Sequence, residues 1–232
     1  MIARNKAAIV QAGAVHKMLR IAEGGGASGA LTEAVVANFL CLSALDANKP
    51  VIGASGAAPF LVRAFQAAAC CSTEQARHDA LRALLNLSIA PANAPHLLVA
   101  GLAPALVATV GDAAPVTDHA LAVLCNLVAA CPEGRRAVSH APDAVPSLVD
   151  VLNWADEPGC QEKVAYVLMV LAHRSYGDRA AMAEAAASSV PQERRCRGEE
   201  SVDGGSRPLA RPCGRGTCLR ACLTKRTVNS CF

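Results

Sequence analysis

The sequence predicts an all-α fold built from a repeated three-helix unit. Three observations carry this. Apolar residues make up 53% of the chain but aromatics only 3%, so Ala, Leu and Val supply the core. Ala and Leu have high helix propensity and suit close-packed helices, whereas strands favour aromatic and β-branched side chains. Three landmarks recur along the chain at steps of 40 to 45 residues. The long apolar segments also space their apolar residues by three and four, as a helix does, rather than in alternation.

The first landmark is a short helix that ends in a turn. Gly13 closes NKAAIVQAG, Gly56 closes NKPVIGASG and Gly101 closes NAPHLLVAG, at steps of 43 and 45 residues. Asn5, Asn48 and Asn93 open these segments at the same steps. A fourth copy, EGRRAVSHA, ends at Ala141, where the glycine is replaced. The second landmark follows each turn and reads AVHKML, APFLVRAF, APALVATV and VPSLVDVL. Pro59, Pro104 and Pro146 stand in the first turn of a helix, where a missing N–H costs nothing, and His16 holds that place in the first copy. The third landmark is a longer apolar helix: EAVVANFLCLSAL, ARHDALRALLNLSI, DHALAVLCNLVAA and EKVAYVLMVLAH. Leu42, Leu87, Leu127 and Leu171 mark its equivalent points, 45, 40 and 44 residues apart.

Each unit is therefore a short helix, a turn, a second helix, a polar loop and a third helix. The period lies within the ~40–47 residues of armadillo and HEAT repeats. Four complete units run over about 4–46, 48–90, 93–131 and 134–174, and a fifth begins at Tyr176 as YGDRAAMAEA. The expected architecture is an armadillo-type, right-handed superhelical solenoid of about four complete three-helix repeats over residues 1–185. Residues 186–232 carry 9 basic against 4 acidic residues and are rich in Arg, Gly, Ser, Pro and Cys. That composition predicts a disordered basic tail. The body is nearly balanced, with 13 basic against 15 acidic residues.

A solenoid of this kind implies binding. One unit cannot bury its apolar face alone, so units stack and leave one long helix of each along a shared surface. In the third helix of unit two, Ala80, Leu84 and Leu87 form the buried stripe, and Gln75, Asp79, Arg82 and Asn86 the opposite one. The same offsets select His119, Ala122 and Asn126 in unit three and Lys163, Tyr166 and Val170 in unit four. These residues predict a ladder on the concave face that holds an extended peptide or another protein. Asp79, Arg82, Asn86, His119, Asn126, Lys163 and Tyr166 are the partner-binding candidates. The competing reading is that Asn86 and Asn126 only satisfy nearby backbone groups and the charges only solvate a face.

The residues also resemble a known family. The stretches NKAAIVQAGAVHKML, EAVVANFLCLSALDANKPVIGASGAAPFLV, ARHDALRALLNLSI, PEGRRAVS and PDAVPSLVDVLNWADEPGCQEKVAYVLMVLAHRSYGDRAAMAEA are similar to the armadillo region of plant U-box ubiquitin ligases. The resemblance covers almost all of residues 1–185. It implies that these repeats select a substrate or regulatory partner, while an upstream U-box recruits the ubiquitin-conjugating enzyme. The sequence begins directly at a repeat, so ligase activity is not carried over to it. Importin-type armadillo proteins pair their ladder asparagine with a tryptophan four residues earlier. Arg82 and Ala122 occupy that place here, which disfavours nuclear-signal binding.

After Ala185 the resemblance stops inside a unit, which suggests a shifted frame, a retained intron or an alternative exon. Without a closing repeat, Leu168, Val170 and Leu171, with Met182, are expected to be partly uncovered and to favour self-association. Three readings follow: an interaction scaffold, a component of ubiquitin transfer whose U-box is missing from this sequence, or a truncated product without independent function.

No catalytic constellation is visible. The six histidines do not recur at one place in the repeat, and no H-E-x-x-H, G-x-S-x-G or G-x-x-x-x-G-K occurs. GGGASGA, after the second helix, lacks the preceding strand and following Lys of a phosphate cradle. Cys70 and Cys71 are adjacent, not a C-x-x-C pair. In the tail, Cys218 and Cys222 are the only zinc-like pair, and Cys213 and Cys231 add no second one. No cofactor or metal is expected, nor specific nucleic-acid binding. No apolar run approaches the ~20 residues of a membrane helix. With no secretory signal, the 11 cysteines predict free thiols in a reducing compartment, cytoplasmic and/or nuclear.

Overall fold

A computed structural model of the 232-residue chain describes residues 3–24, 29–67, 73–111, 116–153, 158–173 and 184. All lie within the first of the chain's two units, Met1–Val190. The fifth repeat segment and the tail, with its candidate zinc pair, lie outside the described residues, apart from Glu184. So do Cys70, Cys71 and Met182.

Unit one consists of α1 (Ala3–Gln11), α2 (Ala14–Glu23) and α3 (Gly29–Ser43). Unit two opens with a 3-10 turn at Asp46–Asn48 and continues as α4 (Lys49–Ala54), α5 (Ala57–Gln66) and α6 (Glu74–Ser88). Unit three opens with Pro91–Asn93 and continues as α7 (Ala94–Val99), α8 (Leu102–Gly111) and α9 (Thr117–Ala130). Unit four is α10 (Pro132–Ser139), α11 (Ala144–Val151) and α12 (Pro158–Ala172). The third helices pack in series, α3 on α6, α6 on α9 and α9 on α12. The architecture is an armadillo-type solenoid.

One stripe builds the core of every unit. Its members are Val35, Phe39 and Leu42 in α3, Ala80, Leu84 and Leu87 in α6, and Ala120, Leu124 and Leu127 in α9. Val164, Leu168 and Leu171 complete it in α12, and all twelve are buried. The spacing of four and three puts them on one face of each helix. This corrects the expectation that Leu168 and Leu171 are uncovered. They belong to the repeating core stripe and are shielded because α12 packs on α9 and α11. Val170 is half-buried, and Met169 is an exposed large apolar side chain of that helix, at 42%.

The turns follow the glycines, with one displacement. Gly13, Gly56 and Gly101 have φ of 75°, 86° and 79° and stand immediately before α2, α5 and α8. In unit four the left-handed residue is Asp143, with φ 54°, two positions beyond Ala141. An alanine in that conformation costs about 1–2 kcal/mol, whereas Asp tolerates it better because its short polar side chain bonds locally. The glycine is thus replaced by Asp143, and the turn is longer.

The landmark asparagines join the repeats. Asn48 Nδ2 donates to Leu42 O at 3.1 Å within its own connection and to Lys6 O of unit one at 3.2 Å. Asn93 repeats this one unit later, donating to Leu87 O at 2.9 Å and Lys49 O at 3.0 Å. Both side chains are buried, and each satisfies the carbonyl of a third-helix terminus while tying down the previous unit. Gly53 makes room for the second contact, since a Cβ there would lie 2.0 Å from Asn93 Oδ1. In unit four Glu133 takes the asparagine place, and Arg135 Nη1 donates instead to Val128 O at 2.9 Å.

Candidate functional site

The face opposite the core stripe is lined by α3, α6, α9 and α12. A cleft of about 370 Å³ opens on it between the first three of these helices. Leu40 and Cys41 come from α3, Arg82, Leu85 and Asn86 from α6, and His119 from α9. Three of the seven ladder residues therefore meet around one cavity.

The ladder asparagines are held by the preceding repeat. Asn86 Nδ2 donates to Ser43 Oγ at 3.1 Å, and Asn126 Nδ2 donates to Ser88 Oγ at 2.9 Å. Each serine hydroxyl in turn donates to its own helix, Ser43 to Leu40 O at 3.1 Å and Ser88 to Leu85 O at 2.8 Å. The partners are neighbouring hydroxyls rather than backbone groups. An amide carries two N–H donors and one carbonyl acceptor. One N–H is used in each rung, and the orientation of the whole amide is set by it. At the next step the two positions become Val170 and Val128, so a polar rung is replaced by two apolar residues.

The charged candidates differ in how committed they are. Asp79 is held within α6: its side chain is 14% exposed, accepts from Gln75 Nε2 at 3.0 Å, and lies 3.6 Å from Arg82 Nη1. Arg82 is the open member of that pair, with its side chain 56% exposed. Lys163 is tied across to α9, its Nζ 2.6 Å from Asp118 Oδ1. That hydrogen bond, with the attraction of the Asp118 carboxylate, outweighs partial burial and raises Lys163 above its ordinary 10.5. Tyr166 is half-buried against the core, and like Lys163 and Asn126 it lies outside the cleft.

Sequence reasoning missed the apolar part of the site. Leu40 and Leu85 stand two positions before the marker leucines Leu42 and Leu87, and Cys41 stands at the place that Asn86 fills in unit two. Ile89, two positions after Leu87 at the C-terminal end of α6, is 54% exposed. The signal was present: these positions flank the polar stripe at helical spacing. Among the described residues, Cys41 and Cys131 are free thiols. Among the described residues no group of three metal-ligating side chains is found, and no single helix is long and apolar enough to cross a membrane.

No protein-family model matches the chain. Over 143 residues it is 40% identical to U-box domain-containing protein 45 of Arabidopsis thaliana, covering 61% of this chain and 18% of that protein. Over 138 residues it is 38% identical to U-box domain-containing protein 7 of the same plant, covering 57% and 16%. Among solved structures, an engineered protein superposes with a TM-score of 0.67 at 20% identity, over 81% of this chain and 74% of that one. A designed armadillo repeat protein in complex with the peptide (KR)4 superposes with a TM-score of 0.66 at 20% identity, over 80% and 75%. The homologues are plant U-box proteins and the fold is the armadillo solenoid. The chain spans less than a fifth of the length of either of these U-box relatives.

Proposed function

We propose that this chain is a non-catalytic interaction scaffold that holds a segment of another protein on the face formed by α3, α6, α9 and α12. The observation that carries this is the cleft, where Asn86, oriented by Ser43 of the previous repeat, meets Arg82, His119, Leu40 and Leu85. Prealigned amides and an exposed guanidinium beside apolar walls suit an extended chain. The amides take its backbone groups, and the walls select its side chains. The complex of the designed armadillo neighbour with a peptide supports the same use of the fold.

The finer reading is that these repeats choose the substrate or regulatory partner in a U-box/armadillo system of protein ubiquitination, in the cytoplasm and/or nucleus. The U-box relatives support the link to ubiquitination. The test is affinity capture from a plant cell extract, comparing the chain with a variant carrying Arg82→Ala, Asn86→Ala and Asn126→Ala, and then direct titration of each recovered protein. Saturable binding by the parent, weakened in the variant, is the expected result. Equal binding by both, or recovery of chaperones alone, contradicts the reading.

A further inference from the structure

The cleft carries information about the chemistry of its occupant. Its volume of about 370 Å³ lies near the small end of the range for ligand pockets, enough for a few side chains. Among the described residues no carboxylate lines it, and the one fixed charge is Arg82, whose partner Asp79 stands 3.6 Å away and already accepts from Gln75. That separation is long for an ion pair and the Arg82 side chain is 56% exposed, so the guanidinium keeps donors for a second carboxylate. Lys163, by contrast, is engaged by Asp118 at 2.6 Å. His119 stands on the far side of the cleft, on α9, and supplies a second group able to donate to an anion. Leu40 and Leu85 line the same space and are half-buried.

Building on the scaffold reading above, we propose that the cleft accepts an extended segment that presents an Asp or Glu side chain to Arg82 and His119 and an aliphatic side chain to Leu40 and Leu85. The argument is charge complementarity together with size. A guanidinium receives a carboxylate in a paired, planar geometry that a lysine or arginine of the partner cannot offer. A basic segment meets like charge at Arg82. A helix, about 10–12 Å across with its side chains, is too thick for a cavity of this volume.

The experiment uses fluorescein-labelled octapeptides of alternating sequence, (Leu-Glu)4, (Leu-Gln)4 and (Lys-Arg)4, titrated with the full chain and followed by anisotropy. The acidic peptide is expected to bind saturably and more tightly than the other two. Arg82→Ala should weaken it about tenfold, the scale of one charge-assisted hydrogen bond. Arg63→Ala, on α5 and outside the cleft, should leave it unchanged. Arg82→Glu should move the preference toward (Lys-Arg)4. Equal affinity for the acidic and neutral peptides, tightest binding of (Lys-Arg)4, or indifference to Arg82→Ala overturns the proposal. A phage-displayed library without charge bias separates the two levels of inference. Neutral or basic peptides that depend on Asn86 and Asn126 would remove the carboxylate and leave the scaffold standing, whereas recovery of no peptide would count against both.

Discussion

Single asparagines do more for this molecule than their number suggests. Asn48 and Asn93 were visible in the sequence as markers that open a repeat; in the structure they are buried and bridge two repeats. Replacing Asn93 with Ala removes two buried hydrogen bonds, to Lys49 O and to Leu87 O, the latter keeping the Ala90 N–H at 3.2 Å. Each such bond contributes about 0.5–1.5 kcal/mol net, so Asn93→Ala should lose roughly 1–3 kcal/mol in urea denaturation. Asn5, the exposed copy in the first unit, should lose less than about 0.5 kcal/mol when changed to Ala. Gly53→Ala drives a Cβ into Asn93 and should be strongly destabilising alone. It should cost much less when added to Asn93→Ala, and an additive double-mutant cycle would contradict the contact. The recurrence of these asparagines was legible from spacing alone. Their task was not, because the acceptors are backbone carbonyls 6 and 44 residues away, which a sequence does not display. The same limit applies to the site: the ladder positions were legible, but the serines that orient Asn86 and Asn126 belong to the preceding helices.

At the scale of elements, the turns and the inter-helix ties behave differently. Nothing lies within 4 Å of a Cβ built on Gly56 or Gly101, so alanine there meets no clash and only the left-handed backbone opposes it. Gly56→Ala and Gly101→Ala should each cost about 1–2 kcal/mol. Asp143→Gly should cost nothing, while Asp143→Ala should cost a similar 1–2 kcal/mol; thermal melts of the four variants test this. If Ala141 were the conformational equivalent of the glycines, Asp143→Ala would be silent. The tie between α9 and α12 adds a pH dependence. Because Lys163 titrates above its ordinary 10.5 in the folded chain, its contribution is fully present below that value and is lost as the pH rises through the folded value. The pair is partly exposed, so Lys163→Gln should lose no more than about 1 kcal/mol at neutral pH. The gap between parent and variant should stay constant from pH 7 to 9 and close above about 10.5. A gap that widened in alkali would mean that the lysine is held by something other than the Asp118 carboxylate.

For the whole molecule, the fold was readable because it is nearly one-dimensional. One stripe, such as Ala80, Leu84 and Leu87, recurs in four helices, and each unit needs only its neighbour to bury it. The same property made the uncovered end hard to judge. Helix α12 packs on α9 and α11, which is why Leu168 and Leu171 are shielded while Met169 is not. One-dimensional order also means that stability is distributed interface by interface. The first two junctions each carry an asparagine that reaches back to the preceding unit, and each carries an Asn–Ser rung. The third junction has Glu133 and Val170 at those positions and relies on apolar contact, the Asp118–Lys163 pair, the Cys125 thiol donating to Lys163 O at 3.5 Å and Arg135 donating to Val128 O. Hydrogen exchange followed by mass spectrometry should therefore find α10–α12 losing protection before α4–α9. Restoring an Asn–Ser rung with Val128→Ser and Val170→Asn should narrow the difference by joining unit four to its neighbour. Asn93→Ala should have the opposite effect on the middle of the array and let units one and two exchange separately from units three and four. Uniform protection across α1–α12 in every variant would show that apolar packing alone sets the coupling, and that the polar rungs only orient the side chains of the cleft.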